Sequence, residues 1–182
     1  MRPKFYIFSV NDRNTTANYF VRALKKMKFN VVYLTKNFDA RKLKVNDIFF
    51  FIDPVRDFPF FLENAKCQTI AYLIDVHLQL KQRLLFSNFF DHVFVAQKEY
   101  VNIFKNYRNL DKKKSVHWLP LACDPQIHFK KGLRRQFEVA FVGQINKLIS
   151  KTRYKMIREV LPRFYTNDYN KFYRNIDMGF TY

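Results

Sequence analysis

Asp75-Val76-His77 closes the apolar run TIAYLID at residues 69–75. A carboxylate two residues from an imidazole, at the end of a strand and the start of a helix, can orient the ring or take a proton from an attacking hydroxyl. The plain alternative is that Asp75 caps the helix and His77 is a surface residue of its first turn. A second group, Asn11, Asp12 and Arg13, follows the run KFYIFSV. Amide and guanidinium donors there, beside the N-terminus of the next helix, suit a substrate phosphate, although a solvated turn would use the same residues. Asp53-Pro54, Gln97 and Cys123-Asp124 also stand at the ends of apolar runs. For Asp53 a turn or helix cap is the simpler role. The four histidines (77, 92, 117 and 128) have neither an i, i+4 spacing nor an HExxH arrangement, so no metal site is expected. Cys67 and Cys123 are the only cysteines, and neither belongs to a CxxC. They read as reduced thiols of a cytoplasmic protein, with no Cys-His-Asn arrangement to make a nucleophile.

These residues need a parallel sheet to bring them together. Six short apolar runs rich in Val, Ile and aromatics read as strands: residues 4–10, 30–35, 47–53, 69–75, 92–96 and 116–121. Continuous apolar runs such as DIFFFID fit strands buried on both faces. Between the first two, Asn14 or Thr15 can cap a helix that aligns Ala17, Phe20, Val21, Leu24 and Met27, with lysines at its C-terminus. Residues 77–89 predict a helix with Leu78, Leu85 and Phe89 inward and Lys81, Gln82 and Arg83 facing water. Residues 98–106 predict a short helix with Tyr100, Val101 and Phe104 on one face, and one helical turn is expected near residues 60–64. Pro120 and Asp124-Pro125 end the sixth strand in an extended exit. The expected fold is α/β, a Rossmann-like parallel sheet with helices on both faces. In such sheets ligands sit outside the carboxyl ends of the strands, where all the candidate residues fall.

The composition agrees with a packed domain. Of 182 residues, 48% are hydrophobic and 19% aromatic, with 22 phenylalanines. Only three glycines are present, and none lies between residues 10 and 30, which leaves a Gly-rich dinucleotide loop unsupported. The net charge is +18, divided as 18 basic against 9 acidic residues in 1–110 and 15 against 6 in 111–182. Such a balance attracts anionic lipid, nucleic acid or phosphate-bearing small molecules, or forms an ordinary solvated basic surface. No leader pattern or membrane-length apolar run is present, so the chain reads as cytoplasmic, with peripheral contact to an anionic membrane left open.

After Pro125 the composition changes. Residues 128–136 are basic and include Gly132, which suits a linker. Residues 137–143 (FEVAFVG) predict a new strand, residues 150–165 a helix with Tyr154, Ile157, Val160 and Leu161 inward, and residues 167–182 a short helix and the beginning of a strand. The expected domains are 1–127 and an incomplete second one at 137–182.

The ordered segments FDHVFVAQKEYVNIFK, VHWLPLACDPQIHF and FEVAFVGQI resemble the CgeB-like (spore maturation protein type) glycosyltransferases of the GT-B class. The likeness is closest from about residue 75 to 143. The resemblance implies that residues 1–127 form the acceptor-side half of a GT-B enzyme and residues 137–182 the first β-α unit of the donor half. It implies metal-independent transfer of a sugar from a nucleotide sugar, the donor substrate, to an acceptor, with no other cofactor. Asp75 and His77 would lie on the acceptor side. Asp124 and His128 match the family's D-P-x-x-H and would shape the domain exit. Gly143 would allow close approach of the nucleotide sugar. Because most of the donor half lies beyond this segment, the chain alone is expected to be weak or inactive, and a homodimer or partner chain is expected to cover the cleft. The competing expectation is a non-catalytic binding module for an anionic partner, whether nucleic acid, anionic lipid or protein. Nucleic acid is the weakest of these, because the aromatics fall at core positions and no nucleic-acid motif occurs.

Overall fold

A computed structural model describes residues 3–9, 15–34, 38–53, 62, 65–108, 114–126, 132 and 151–160. The chain divides into two compact units, Met1–Phe129 and Lys130–Tyr182. The division falls inside the segment 128–136 read as a linker.

The first unit is built on six parallel strands: β1 (Lys4–Ser9), β2 (Asn30–Leu34), β3 (Ile48–Ile52), β4 (Gln68–Leu73), β5 (His92–Val95) and β6 (Ser115–Trp118). Their order across the sheet is β2-β1-β3-β4-β5-β6. This is the α/β, Rossmann-like architecture expected. The chain moves outward from β1 to β2, returns across β1 to β3, and then continues in the opposite direction. Right-handed crossovers therefore place the helix after β1 on one face and the later helices on the other.

Helix α1 (Thr15–Lys26) covers the first face. Ala17, Phe20, Val21 and Leu24 pack there with Ile7, Phe50, Ile52 and Tyr72. The 3.6-residue spacing read these four correctly, but not Met27, which is 62% exposed. The helix ends at Lys26 and Lys28 turns left-handed (φ 62°), so Met27 leaves the helical phase.

Helices α2 (Leu80–Ser87) and α3 (Val101–Tyr107) cover the opposite face. Tyr6, Phe8, Phe49, Phe51, Val93 and Val95 form that core, joined by Leu80, Leu84, Phe86, Tyr100, Val101 and Phe104. The α3 stripe matches the expectation. The α2 stripe does not: Leu78, Leu85 and Phe89 are exposed, and Arg83 is buried rather than facing water. A turn over residues 75–79 delays the helix to Leu80, and the inward row becomes Leu80, Arg83, Leu84 and Ser87.

β6 spans Ser115–Trp118 and stops before Leu121, the expected end. The Leu119 amide still donates to Val95 O at 3.0 Å, but Pro120 has no N–H to continue the ladder. Both cysteines are free: Cys67 is buried, which pushes its thiol pKa up, and Cys123 is exposed. His92 Nδ1 and His117 Nε2 lie 2.7 and 2.9 Å from Ser115 Oγ, and His117 stacks on Phe94. These contacts give both histidines structural roles.

In the second unit, α4 (Lys151–Val160) is described, with Ile157 buried and Arg158 Nη1 donating to Tyr154 Oη at 2.7 Å. The strand expected at 137–143, the turn at 60–64 apart from the buried Leu62, and everything expected beyond residue 160 lie outside the described residues. Among the described residues, no helix is long and apolar enough to cross a membrane.

Candidate functional site at the carboxyl edge of the sheet

Strand order puts the topological switch between β1 and β3. Ligands of open α/β sheets bind in the crevice above such a point. Ser9 ends β1 there, paired in register with Ile52. Its side chain shares a face with Ile7, the face that α1 covers. Ser9 is only 4% exposed, and its Oγ has no hydrogen-bond partner among the described residues. Gln97, just beyond β5, likewise has a buried Oε1 with no partner among the described residues. Three strand steps separate β1 from β5, about 14 Å of edge at about 4.8 Å per step.

Between them lie Asp53 and Asp75, both in the left-handed region at φ 51° and 48°. Non-glycine residues rarely adopt that conformation, and aspartate is among the few that tolerate it. Asp53 is held on every side. Its N–H donates to Tyr72 O at 2.7 Å, and its Oδ1 accepts from the Ile74 N–H at 3.1 Å. The same oxygen takes a charge-assisted hydrogen bond from Arg83 Nη1. Arg83 is 2% exposed and also donates Nε–H to Leu78 O at 2.9 Å. One buried guanidinium therefore ties the end of β3 to the 75–79 turn, whose backbone closes by Leu78 N–H donating to Asp75 O at 2.8 Å.

That turn carries Asp75 and His77, both exposed at the rim. Asp75 does not cap α2, because Gln79 takes the N-cap position, with left-handed backbone and no side-chain cap bond. The arrangement leaves a carboxylate and an imidazole accessible to solvent on a turn fixed from beneath by Arg83. Asn11, Asp12, Arg13 and Gly143 lie outside the described residues. Asp124 accepts the Gln126 N–H at 2.9 Å and pairs with Arg22 Nε at 2.8 Å, which fixes the exit from β6. No group of three or more His, Cys, Asp or Glu suited to a metal occurs among the described residues.

Arg83 is the member of this edge that the sequence reading missed. Its spacing to Leu80 and Ser87 was the available signal, and its charge argued the other way. A cavity of about 890 Å³ opens at the opposite, amino end of the strands, lined in part by Asp47, Cys67 and Asp91. Its carboxylates are already committed. Asp47 accepts the Lys44 N–H at 2.7 Å, and Asp91 accepts both Thr69 N–H and Oγ1–H at 2.9 Å. That end is structural.

Tyr72 sits beneath the edge, 1% exposed. Burial, reinforced by the negative charge of Asp53, raises its phenol pKa to about 12. The unfolded chain would hold it near 10, so the fold favours the neutral phenol. The resulting stability is complete below pH 10 and is lost as pH rises through 12, about 2–3 kcal/mol in all at about 1.4 kcal/mol per pH unit. Tyr72→Phe should remove this part of the alkaline decline in a urea-unfolding series from pH 9 to 12. Equal slopes for the two proteins would refute it.

No family model matches the chain, and no curated protein matches it.

Proposed function

We propose that this chain is a glycosyltransferase-like protein whose first unit binds the acceptor and the phosphate side of a nucleotide sugar at the carboxyl edge of its sheet. The observation that carries the reading is the pair of orphaned buried polar atoms, Ser9 Oγ and Gln97 Oε1, at the ends of β1 and β5. A buried polar atom without a partner costs about 1–3 kcal/mol, and a ligand hydroxyl or phosphate oxygen would offset that cost. The resemblance of residues 75–143 to GT-B sequences supplies the substrate class.

In this reading the Asp75 carboxylate or the His77 imidazole takes the proton of the acceptor hydroxyl as its oxygen bonds to the anomeric carbon. The bond from that carbon to the diphosphate oxygen breaks, and the nucleoside diphosphate leaves with the electron pair. On the reading of the sequence, Asn11, Asp12 and Arg13 meet the phosphates of the substrate.

The test is titration of the chain with a panel of uridine and guanosine diphosphate sugars, followed by calorimetry. Saturable binding is expected. Ser9→Ala should weaken it about fivefold to tenfold, the worth of one ordinary hydrogen bond of about 1 kcal/mol, while leaving the protein as stable or more so. No saturable binding by any sugar nucleotide, or unchanged affinity in Ser9→Ala, would sink the proposal.

A further inference from the structure

A second concavity lies between α1 and the extended segment 119–126, on the face of the sheet that α1 covers. It measures about 790 Å³, within the range of small-molecule sites. Its floor is Phe20 and Tyr72, whose rings meet edge to face at 5.1 Å. Leu119, Leu121 and Ala23 supply apolar walls.

The segment that closes this groove is pinned at both ends. At the start, Leu119 N–H donates to Val95 O, Trp118 Nε1–H donates to Ala96 O at 3.1 Å, and the Lys98 ammonium lies 5.1 Å from the Trp118 ring centre. At the far end, Asp124 pairs with Arg22 of α1 at 2.8 Å. A segment held at two points keeps the space beneath it open, and Leu121 remains 58% exposed along it.

The charge of the lining is one-sided. Arg22, Lys25 and Lys26 contribute three cations against the single carboxylate of Asp124. Arg22 satisfies Asp124, which leaves Lys25 and Lys26 in the exposed last turn of α1 without an ion pair among the described residues. An apolar trough ending in two ammonium groups is complementary to one kind of molecule.

We propose that this groove binds a single-chain anionic amphiphile, an alkyl phosphate or fatty-acid type of ligand. Its chain lies over Phe20 and Tyr72 beneath Leu119 and Leu121, and its head group meets Lys25 and Lys26. The chain gains from removing apolar surface from water, and the two lysines select the sign of the head group. A flat bilayer does not match this shape, because the pinned segment makes the site concave. The proposal is independent of sugar-nucleotide binding at the strand ends, so either can fail alone.

The probe is dodecyl phosphate below its micelle concentration, titrated calorimetrically into the full chain. One-to-one saturable binding is expected. Ala23→Trp, which fills the trough from an exposed helix position, should weaken it at least tenfold. Leu121→Asp, on the exposed segment, should do the same and guards against a folding defect in the first variant. Lys25→Glu/Lys26→Glu should weaken dodecyl phosphate at least fivefold and leave the uncharged dodecyl maltoside unaffected. Absence of saturable binding, or binding indifferent to both Ala23→Trp and Leu121→Asp, would overturn the proposal. So would co-sedimentation with phosphatidylglycerol vesicles that Ala23→Trp leaves unchanged, which would make the basic face a membrane contact instead.

Discussion

Asp53→Ala is expected to destabilise the first unit by about 3–5 kcal/mol, the usual cost of removing one partner from a buried ion pair. Arg83 would keep its bond to Leu78 O, but its charge would be left unpaired at 2% exposure. The Ile74 N–H would lose its acceptor as well. Alanine also tolerates the left-handed backbone at this position less readily than aspartate does. Asp53→Asn retains an acceptor oxygen and the backbone preference, and should cost less, about 1–3 kcal/mol. Arg83→Met added to Asp53→Ala should recover part of the loss, because it removes the stranded charge and fills its space with apolar volume. Urea unfolding followed through Trp118, the single tryptophan, reads these changes from the first unit. A cost below about 1 kcal/mol for Asp53→Ala would mean that the pair contributes little. The same variant should also loosen the 75–79 turn, because Arg83 is what holds Leu78 O to the end of β3.

Phe51→Ala is expected to cost a similar amount, about 3–5 kcal/mol, by a different route. Phe51 is fully buried near the carboxyl end of β3 and meets Phe8 edge to face at 4.8 Å and Phe90 at 6.1 Å. Truncation removes the ring from three neighbours at once: Phe8 on the adjacent strand β1, Phe49 on its own strand, and Phe90, which follows α2. The strands around it are hydrogen-bonded in register on both sides, so the backbone cannot collapse into the void. Leu85→Ala is the matched control. Leu85 is 56% exposed, and its truncation should stay within about 0.5 kcal/mol. Equal losses at the two positions would contradict the burial seen here and restore the stripe expected from the sequence alone.

The contrast between Phe51 and Leu85 shows where local pattern suffices. IFFFI is apolar throughout, and a strand with that composition has to be buried on both faces wherever it is placed. Phe49 and Phe51 indeed enter one core, and Phe50 and Ile52 the other. The six strands, the inward residues of α1 through Leu24 and those of α3 all follow from neighbours within a few positions. The helix after β4 defeats the same method. Its phase depends on a turn whose left-handed residues, Asp75 and Gln79, carry no glycine to announce them.

What the sequence by itself determined, then, is the inventory: parallel strands, their polar ends, and most of the helix faces, because each depends on spacing along the chain. Tertiary structure alone decided which of those ends are neighbours. The reversal of strand order between β1 and β3 sets Ser9 beside Asp53. Arg83 is recruited to Asp53 across 30 residues, and α1 faces residues 119–126 across a groove. These pairings are non-local. They are chosen by how the sheet assembles, and buried charge is tolerated at Arg83 only because that assembly delivers its carboxylate.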